Sequence, residues 1–501
     1  MNLVEKYKKL EKYEKIAIWV LIIAIVLRFS LASIYHVSGD ACWQLSNAKF
    51  IAENQKIPLF EQFGRDEPFW PPPLFHIISA FVYAMFLNFG KGVADFAIKM
   101  TSPILGSITL ILFFQIAKQL FNKKIALLSL LFLAFIPLHI DYSVFSYIDG
   151  TITFLAVLSV YLALKNRLMW SAAVAGLTIL TKYNGAFIVP VIWYIAYMKN
   201  KDKKAFFKNF LTISIISGAI GGIWFIRNWL LLGNPVWPFF NSVIGGVEMG
   251  TFALSEVGEL NFANLLSISG LLSVYLGIFG VPDGNIETLT FFNIPHLNVL
   301  LIAWLLGTII FSIPILFGLV SKKLDYKWLL YVWMGSFILL IMFYAMNASW
   351  SVSRFLLPAF PALALVWAYG IEKIRPKKMK RYFIFLLTLI MIGFVFTSVA
   401  KIVMAANAWS FYEDDFGWVK KNTEKNALFM AGSHCISYNM ERQTVPTKVD
   451  NLEKADYVWI NQNFKLDGLA ILDKNIVERT KKEGIEVYKN KKTGTEVYKI
   501  S

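Results

Sequence analysis

The chain has 501 residues, 57% of them hydrophobic and 16% charged, with a formal net charge of +16. Soluble domains usually hold about 25% charged residues; here the shortfall lies in apolar runs such as 16–34, 297–320 and 382–399. Each run is near the roughly 20 residues that a helix needs to cross a bilayer, which excludes an ordinary soluble globule. A cleaved leader does not explain them either, because they are many and the first lacks a small-residue cleavage site.

The positive charge is not a nucleic-acid signal. Lys and Arg fall in short clusters between apolar runs, at 6–15, 123–124, 165–167, 199–208, 322–327 and 373–381. The positive-inside rule places all of these in the cytoplasm. Residues 233–296 contain no Lys or Arg, which suits an outer loop. The only cysteines are Cys42 and Cys435, so there is neither a disulfide framework nor a thiolate metal site. Both fall on the expected outer side, where they could pair.

In chain order, helix 16–34 runs outward and 35–73 forms a polar outer loop. The apolar stretch 74–88 is short for a span. If it crossed, the next two basic clusters would fall outside, so it is expected to lie along the outer surface or re-enter. Spans follow at 96–121, 125–140 and 151–164, with 141–149 as a short outer loop. Residues 170–198 read as a hairpin of two short helices, turning at Thr181-Lys182-Tyr183-Asn184-Gly185 in the outer half. Span 210–230 ends outside at Arg227-Asn228-Trp229. The long outer loop 233–296 contains an interfacial stretch at 265–280, and the last spans lie at 297–320, 328–346, 355–370 and 382–403.

The expected fold class is thus a polytopic α-helical membrane protein. It has about eleven transmembrane helices over 1–405, an outer loop with juxtamembrane helices over 35–95, a cytoplasmic N-terminus and an extracytoplasmic C-terminus. After residue 406 the pattern changes to alternating strand-like runs at 427–431, 457–460, 484–488 and 495–500, with helix-like stretches at 411–422 and 469–482. This predicts a small soluble α/β domain over 406–501.

No soluble-enzyme fingerprint is present: there is no GxGxxG, P-loop, HExxH or CxxC. Chemistry is therefore sought in polar residues that the membrane makes costly. Asp40, in Ser38-Gly39-Asp40, sits where it could take a proton from a hydroxyl or amine entering from outside, or simply cap the helix that follows. Asp149, in Tyr147-Ile148-Asp149-Gly150, has the same two readings. At one depth the two carboxylates could share an acceptor or bind a divalent cation. Lys182, Arg227 and Arg354 are expected at the same outer level, with Arg28 inside the first span. Intramembrane cations are functional candidates by default, although each could snorkel to the headgroups. Facing a lipid-borne anion together, they would bind phosphate oxygens and stabilise a departing phosphate. Glu67 and His76 flank Pro68-Phe69-Trp70-Pro71-Pro72-Pro73-Leu74-Phe75, whose prolines stiffen the entry to the surface helix. His76 is either a base or ligand or a packed core residue. Asn347-Ala348-Ser349 is a glycosylation sequon on an expected outer loop.

These pieces together resemble the GT-C superfamily of membrane glycosyltransferases, in particular the branch with protein O-mannosyltransferases and lipid A aminoarabinose transferases. The resemblance rests on Gly39-Asp40 after the first helix, Pro72-Pro73-Leu74 before a juxtamembrane helix, and Pro137 followed by a loop ending in Asp149. It continues through Leu180-Thr181-Lys182-Tyr183, Arg227-Asn228-Trp229-Leu230-Leu231-Leu232-Gly233-Asn234-Pro235 and Arg354-Phe355-Leu356-Leu357-Pro358. It implies a polyprenyl-phosphate sugar as donor and a lipid, glycan or protein as acceptor, with transfer on the outer face and inversion. Asp40 would then be the general base, Asp149 the second acid, and Lys182, Arg227 and Arg354 the phosphate ligands. Ala41 stands where the family carries a second acid, Pro71 where aminoarabinose transferases carry a phosphate-binding Lys, and the Trp-Trp-Asp signature of oligosaccharyltransferases is absent. Two other readings are a non-enzymatic flippase for lipid-linked sugars, which should show internal symmetry between halves, and an outer-surface binding protein with its key residues in 411–501.

Overall fold

The computed structural model describes residues 3–59, 67–250, 268–280, 297–345, 353–464, 466 and 472–500. It is mostly helical. After a short α1 (Leu3–Lys8) come α2 (Lys12–Ile34), α3 (Asp40–Asn54), α4 (Leu74–Leu87), α5 (Lys91–Leu120), α6 (Lys123–Phe135), α7 (Pro137–Tyr142), α8 (Ile148–Leu164) and α9 (Leu168–Thr181). A 3-10 turn (Tyr183–Ile188) leads to α10 (Val189–Lys199), α11 (Lys203–Leu232), α12 (Asn241–Ile244), α13 (Ile268–Ile278), α14 (Leu297–Leu319) and α15 (Lys327–Ala345). A second 3-10 turn (Ser353–Ala359) precedes α16 (Phe360–Lys373) and α17 (Lys377–Ser410). The expected crossings overlap these helices, although 125–140 is divided between α6 and α7 and 355–370 begins in the second 3-10 turn. Among the described residues, six helical segments are long and apolar enough to cross a membrane unaided: α2, α5, α11, Ile302–Leu319 of α14, Ser353–Lys373 and α17. The chain is a multi-pass membrane protein. Helix α4, with 14 residues, is not among the six and packs against α3 and α5. The expected outer-loop sequon at 347–349 lies outside the described residues, whereas all but the first three residues of the expected stretch 265–280 are described and include α13.

Local chemistry explains the breaks. The expected span 125–140 ends early because Pro137 lacks the N–H that would continue the ladder and instead opens α7 at its first position. The last carbonyls of α6 then need donors. Arg28, fully buried on α2, supplies one: its Nη2 donates to Ala134 O at 3.0 Å and lies 2.8 Å from His139 Nδ1, while Nη1 donates to Ala24 O. Where α14 crosses α16, Gly318 and Gly370 touch backbone of the opposite helix, leaving no room for a side chain.

All the basic clusters that the described ion pairs reach gather at one end of the bundle. Glu14 on α2 receives Lys118 from α5 and Lys123 from α6. Glu372 on α16 receives Lys124 and Lys380, and Lys199 closes onto the C-terminal carbonyls of α8. At the opposite end stand Gly39-Asp40, the loop before α8, the α9 turn and the 3-10 turn before α16.

Beyond α17 the chain forms α18 (Glu413–Asn422), β1 (Leu428–Met430), α19 (His434–Met440), β2 (Gln443–Val445), β3 (Tyr457–Ile460), α20 (Lys474–Glu483), β4 (Ile485–Asn490) and β5 (Thr495–Lys499). The sheet order is β2-β1-β3-β5-β4, parallel among the first three strands and antiparallel at β3–β5 and β4–β5. The expected strands are present, and β2 and α19 are additions that short polar sequences concealed. Buried Asp415 ties the hairpin to α18 by accepting from Tyr488 Oη, Asn490 Nδ2 and Thr495 Oγ1 at 2.6–2.7 Å. One sheet face packs on α20 through Val458, Ile460 and Ile476, and Phe429, Trp459 and Val497 join the apolar cluster that includes α3. The two cysteines do pair, Cys42 on α3 with Cys435 on α19.

Candidate active site

The site begins at a glycine. Gly39 has φ +58°, and a side chain there would collide with the Tyr147 hydroxyl. This close approach lets the Asp40 N–H donate to Tyr147 Oη at 3.1 Å. Asp40 is the first residue of α3, and its Oδ2 accepts from Arg354 Nη1 at 2.6 Å. Burial, reinforced by Asp40, pushes the Tyr147 phenol well above its usual range, so it keeps its proton.

Beside this pair stands a second one. Helix α9 ends at Thr181, and Lys182 adopts an extended backbone before the 3-10 turn. That break points Lys182 Nζ at Asp149 Oδ1, 3.0 Å away at the start of α8. The Phe355 ring joins the two pairs, with Lys182 Nζ 4.0 Å and the Arg354 guanidinium 5.4 Å from its centroid. The two carboxylates are not equivalent: the Asp40 side chain is 32% exposed and that of Asp149 only 5%. Asp40 is partly exposed, whereas Asp149 is buried against Lys182.

Arg227 works at a neighbouring position. Both of its hydrogen bonds use Nη1, to Phe69 O and Asn228 Oδ1 at 2.7 Å, and its guanidinium covers Trp224 at 4.5 Å. The adjacent Trp70 carbonyl accepts from Tyr183 Oη, Trp224 Nε1 and Asn228 Nδ2. The Pro-rich loop is therefore fastened to α11 and to the residue following Lys182. Glu67, at the start of this loop, is 2% exposed. His76 is fully buried, edge-on to Trp43, Phe69 and Phe75, and neither ring nitrogen has a hydrogen-bond partner. Arg28 lies with His139 at the α6–α7 break and does not pair with either carboxylate of the site.

The sequence reading missed Tyr147 and Phe355 as parts of the site, although both sit inside motifs it singled out. It also missed the buried pair of Lys401 on α17 with Asp141 on α7, in which Lys401 donates to Gly280 O as well. The signal available was a lone lysine late in an apolar run.

A family model, dolichyl-phosphate-mannose-protein mannosyltransferase, matches residues 70–224, under a third of the chain. That segment contains Asp149 and Lys182 but ends before Arg227 and Arg354 and begins after Asp40. No curated protein matches by sequence. Among solved structures, ArnT from Cupriavidus metallidurans bound to undecaprenyl phosphate is similar over 96% of this chain and 97% of that one, with TM-score 0.62 and 12% identity. The chain shares the fold of that structure. Archaeal oligosaccharyltransferase AglB from Archaeoglobus fulgidus, in complex with an inhibitory peptide and a dolichol-phosphate, matches over 98% of this chain and 75% of that one, with TM-score 0.54 and 15% identity. Mycobacterial arabinofuranosyltransferase AftD matches over 97% of this chain but only 40% of its own, with TM-score 0.54 and 10% identity.

The two carboxylates raise the question of a divalent cation, which Asp40 and Asp149 were expected to hold if any residues did. Each carboxylate already faces a cation, and among the described residues no group of three acidic, histidine or cysteine side chains converges. That donor set fits a metal poorly, and no step below is routed through one.

Proposed function

We propose that the chain is a glycosyltransferase that moves a sugar from a polyprenyl-phosphate donor to an acceptor on the outer face of the membrane. The single observation that carries this is the juxtaposition of Asp40–Arg354 and Asp149–Lys182 around Phe355, with one carboxylate partly exposed and the other buried. Arg354 and Lys182 would bind the donor phosphate, the Arg fork and the Lys point charge together stabilising the negative charge that grows as it leaves. Arg227, half-exposed beside them, would complete the cationic wall. When Arg354 turns to the phosphate, the Asp40–Arg354 pair opens and Asp40 acts as base. It takes the proton of an acceptor hydroxyl or amine as that group's lone pair forms the new bond to the anomeric carbon. The bond from that carbon to the phosphate oxygen breaks, and polyprenyl phosphate departs with the electron pair. In-line attack inverts the anomeric centre.

The outer placement of this end rests on two independent supports. Positive-inside charge favours a cytoplasmic location for the opposite end, and a disulfide favours an oxidising compartment for Cys42, two residues from Asp40. On this reading 1–405 form the transmembrane catalytic domain and 406–501 an extracytoplasmic domain. The test is purified Asp40→Asn against a panel of polyprenyl-phosphate sugars. A correctly folded variant should lose transfer by at least about a hundredfold, the scale of general-base catalysis. Wild-type transfer by that variant would overturn the proposal, and lipid movement that survives neutralisation of Asp40 without any transfer would favour a flippase.

A further inference from the structure

Helix α19 of the C-terminal unit touches the segment that carries Asp40 at every turn. Its residues 434, 435, 438 and 439 share one face, and that face meets residues 36–49. The His434 Nε2–H donates to Gly39 O at 3.1 Å; since a carbonyl can only accept, the proton sits on Nε2. Cys435 is bonded to Cys42, and its Sγ lies 3.5 Å from the same Gly39 carbonyl. Asn439 Oδ1 is 3.0 Å from His36 Nε2, and Lys49 Nζ lies 4.3 Å above the Tyr438 ring while pairing with Asp95 at 2.6 Å. Just past the helix, Glu441 pairs with Lys91 at the start of α5.

These contacts converge on one peptide. The Gly39–Asp40 unit is held by Tyr147 at the Asp40 N–H and by His434 at the Gly39 carbonyl, and Gly39 occupies a left-handed backbone conformation that its neighbours must maintain. The disulfide fixes α3 two residues further on. We infer that His434 and the Cys42–Cys435 bond are positioning elements for Asp40, so that the C-terminal unit is part of the catalytic apparatus without touching substrate. The inference rests on the reading of Asp40 as the base. The geometry also makes the site redox-dependent: reduction would remove the covalent tie between α3 and α19 and leave the Gly39–Asp40 peptide held by hydrogen bonds alone, from His434 and the Cys42 N–H to Gly39 O and from the Asp40 N–H to Tyr147.

The experiment uses the full-length protein in nanodiscs. Hydrogen exchange is followed in peptides spanning 38–44, and turnover is measured with dolichyl-phosphate mannose. His434→Ala should speed exchange in 38–44 and leave the β-sheet unchanged. It should lower kcat about tenfold with KM unaltered, within the range that misplacing a catalytic group by an ångström costs. His434→Gln, which keeps an N–H donor at similar reach, should restore both readouts. The double variant Cys42→Ser/Cys435→Ser, or reductant on the wild type, provides a second route and should produce the same pattern. Wild-type exchange in 38–44 for both His434→Ala and the double variant overturns the inference, whatever the donor. Faster exchange with unchanged kcat would instead remove Asp40 from its proposed role, so failure of the positioning claim and failure of the base assignment give different results.

Discussion

The two ends of the bundle both carry carboxylates facing lysine or arginine, yet they are built differently. At the basic end Glu14 is shared by Lys118 and Lys123, with an additional capping contact to the Glu11 N–H, and Glu372 is shared by Lys124 and Lys380. Each acid there has two cationic partners from different helices, an arrangement that ties helix ends together. At the other end Asp40 pairs with Arg354 and Asp149 with Lys182, and the two pairs meet over one aromatic ring. On the proposed reading a phosphate entering there would compete with Asp40 for Arg354, whereas an anion at the basic end would meet carboxylates that each hold two lysines. Ion pairs alone therefore do not mark a site; what would mark it is a cation whose counterion is partly exposed.

The sharpest way to break this comparison is to remove that cation. Arg354→Ala should lower kcat/KM by about two to three orders of magnitude, the scale of losing one donor to developing charge, and polyprenyl-phosphate-sugar kinetics on folded protein would show it. Asp149→Asn tests the buried partner. It should destabilise the protein by about 3 kcal/mol, because Lys182 is left without its buried counterion, and thermal unfolding in detergent measures this. Glu14→Gln at the other end should cost about 1–2 kcal/mol, since Glu14 is buried while its two lysine partners stay partly exposed, and leave turnover unchanged; a loss of turnover there would erase the distinction between the ends. The last test is a pH dependence. Burial lowers His36 from its usual 6.5 to about 4 where it stacks on Trp409 and meets Asn439. The unfolded chain therefore takes up this proton first, so the stability from neutral His36 is fully present above pH 6.5 and is lost as pH falls toward 4. His36→Gln should flatten that part of a melting-temperature profile.

Much of the helical layout was legible because hydrophobic runs and basic clusters report directly on bilayer chemistry, and the expected crossings overlap helices, with 125–140 divided in two. The break at Pro137 was legible in principle: the proline was noted as a motif but not as the end of a helix. The C-terminal strands showed through their alternation, whereas α19 did not, since His434-Cys435-Ile436-Ser437-Tyr438-Asn439-Met440 has weak helical propensity and is held by contacts that lie far away in sequence. For the site, residue types pointed to Asp40, Asp149, Lys182 and Arg354, but not to who pairs with whom. Arg354 reaches Asp40 across 314 positions, and no local pattern encodes that. His76 and Arg28 illustrate the opposite limit: both look functional by type, and their surroundings are an aromatic cage and a helix end.

One measurement bears most directly on the central claim: an experimental structure with polyprenyl phosphate bound. The account predicts the phosphate at the Asp40 end, within hydrogen-bond reach of Arg354 and Lys182, with the Asp40–Arg354 pair opened and the prenyl chain leaving sideways into lipid. A phosphate bound instead among the lysines at the basic end, with Asp40–Arg354 intact, would contradict it.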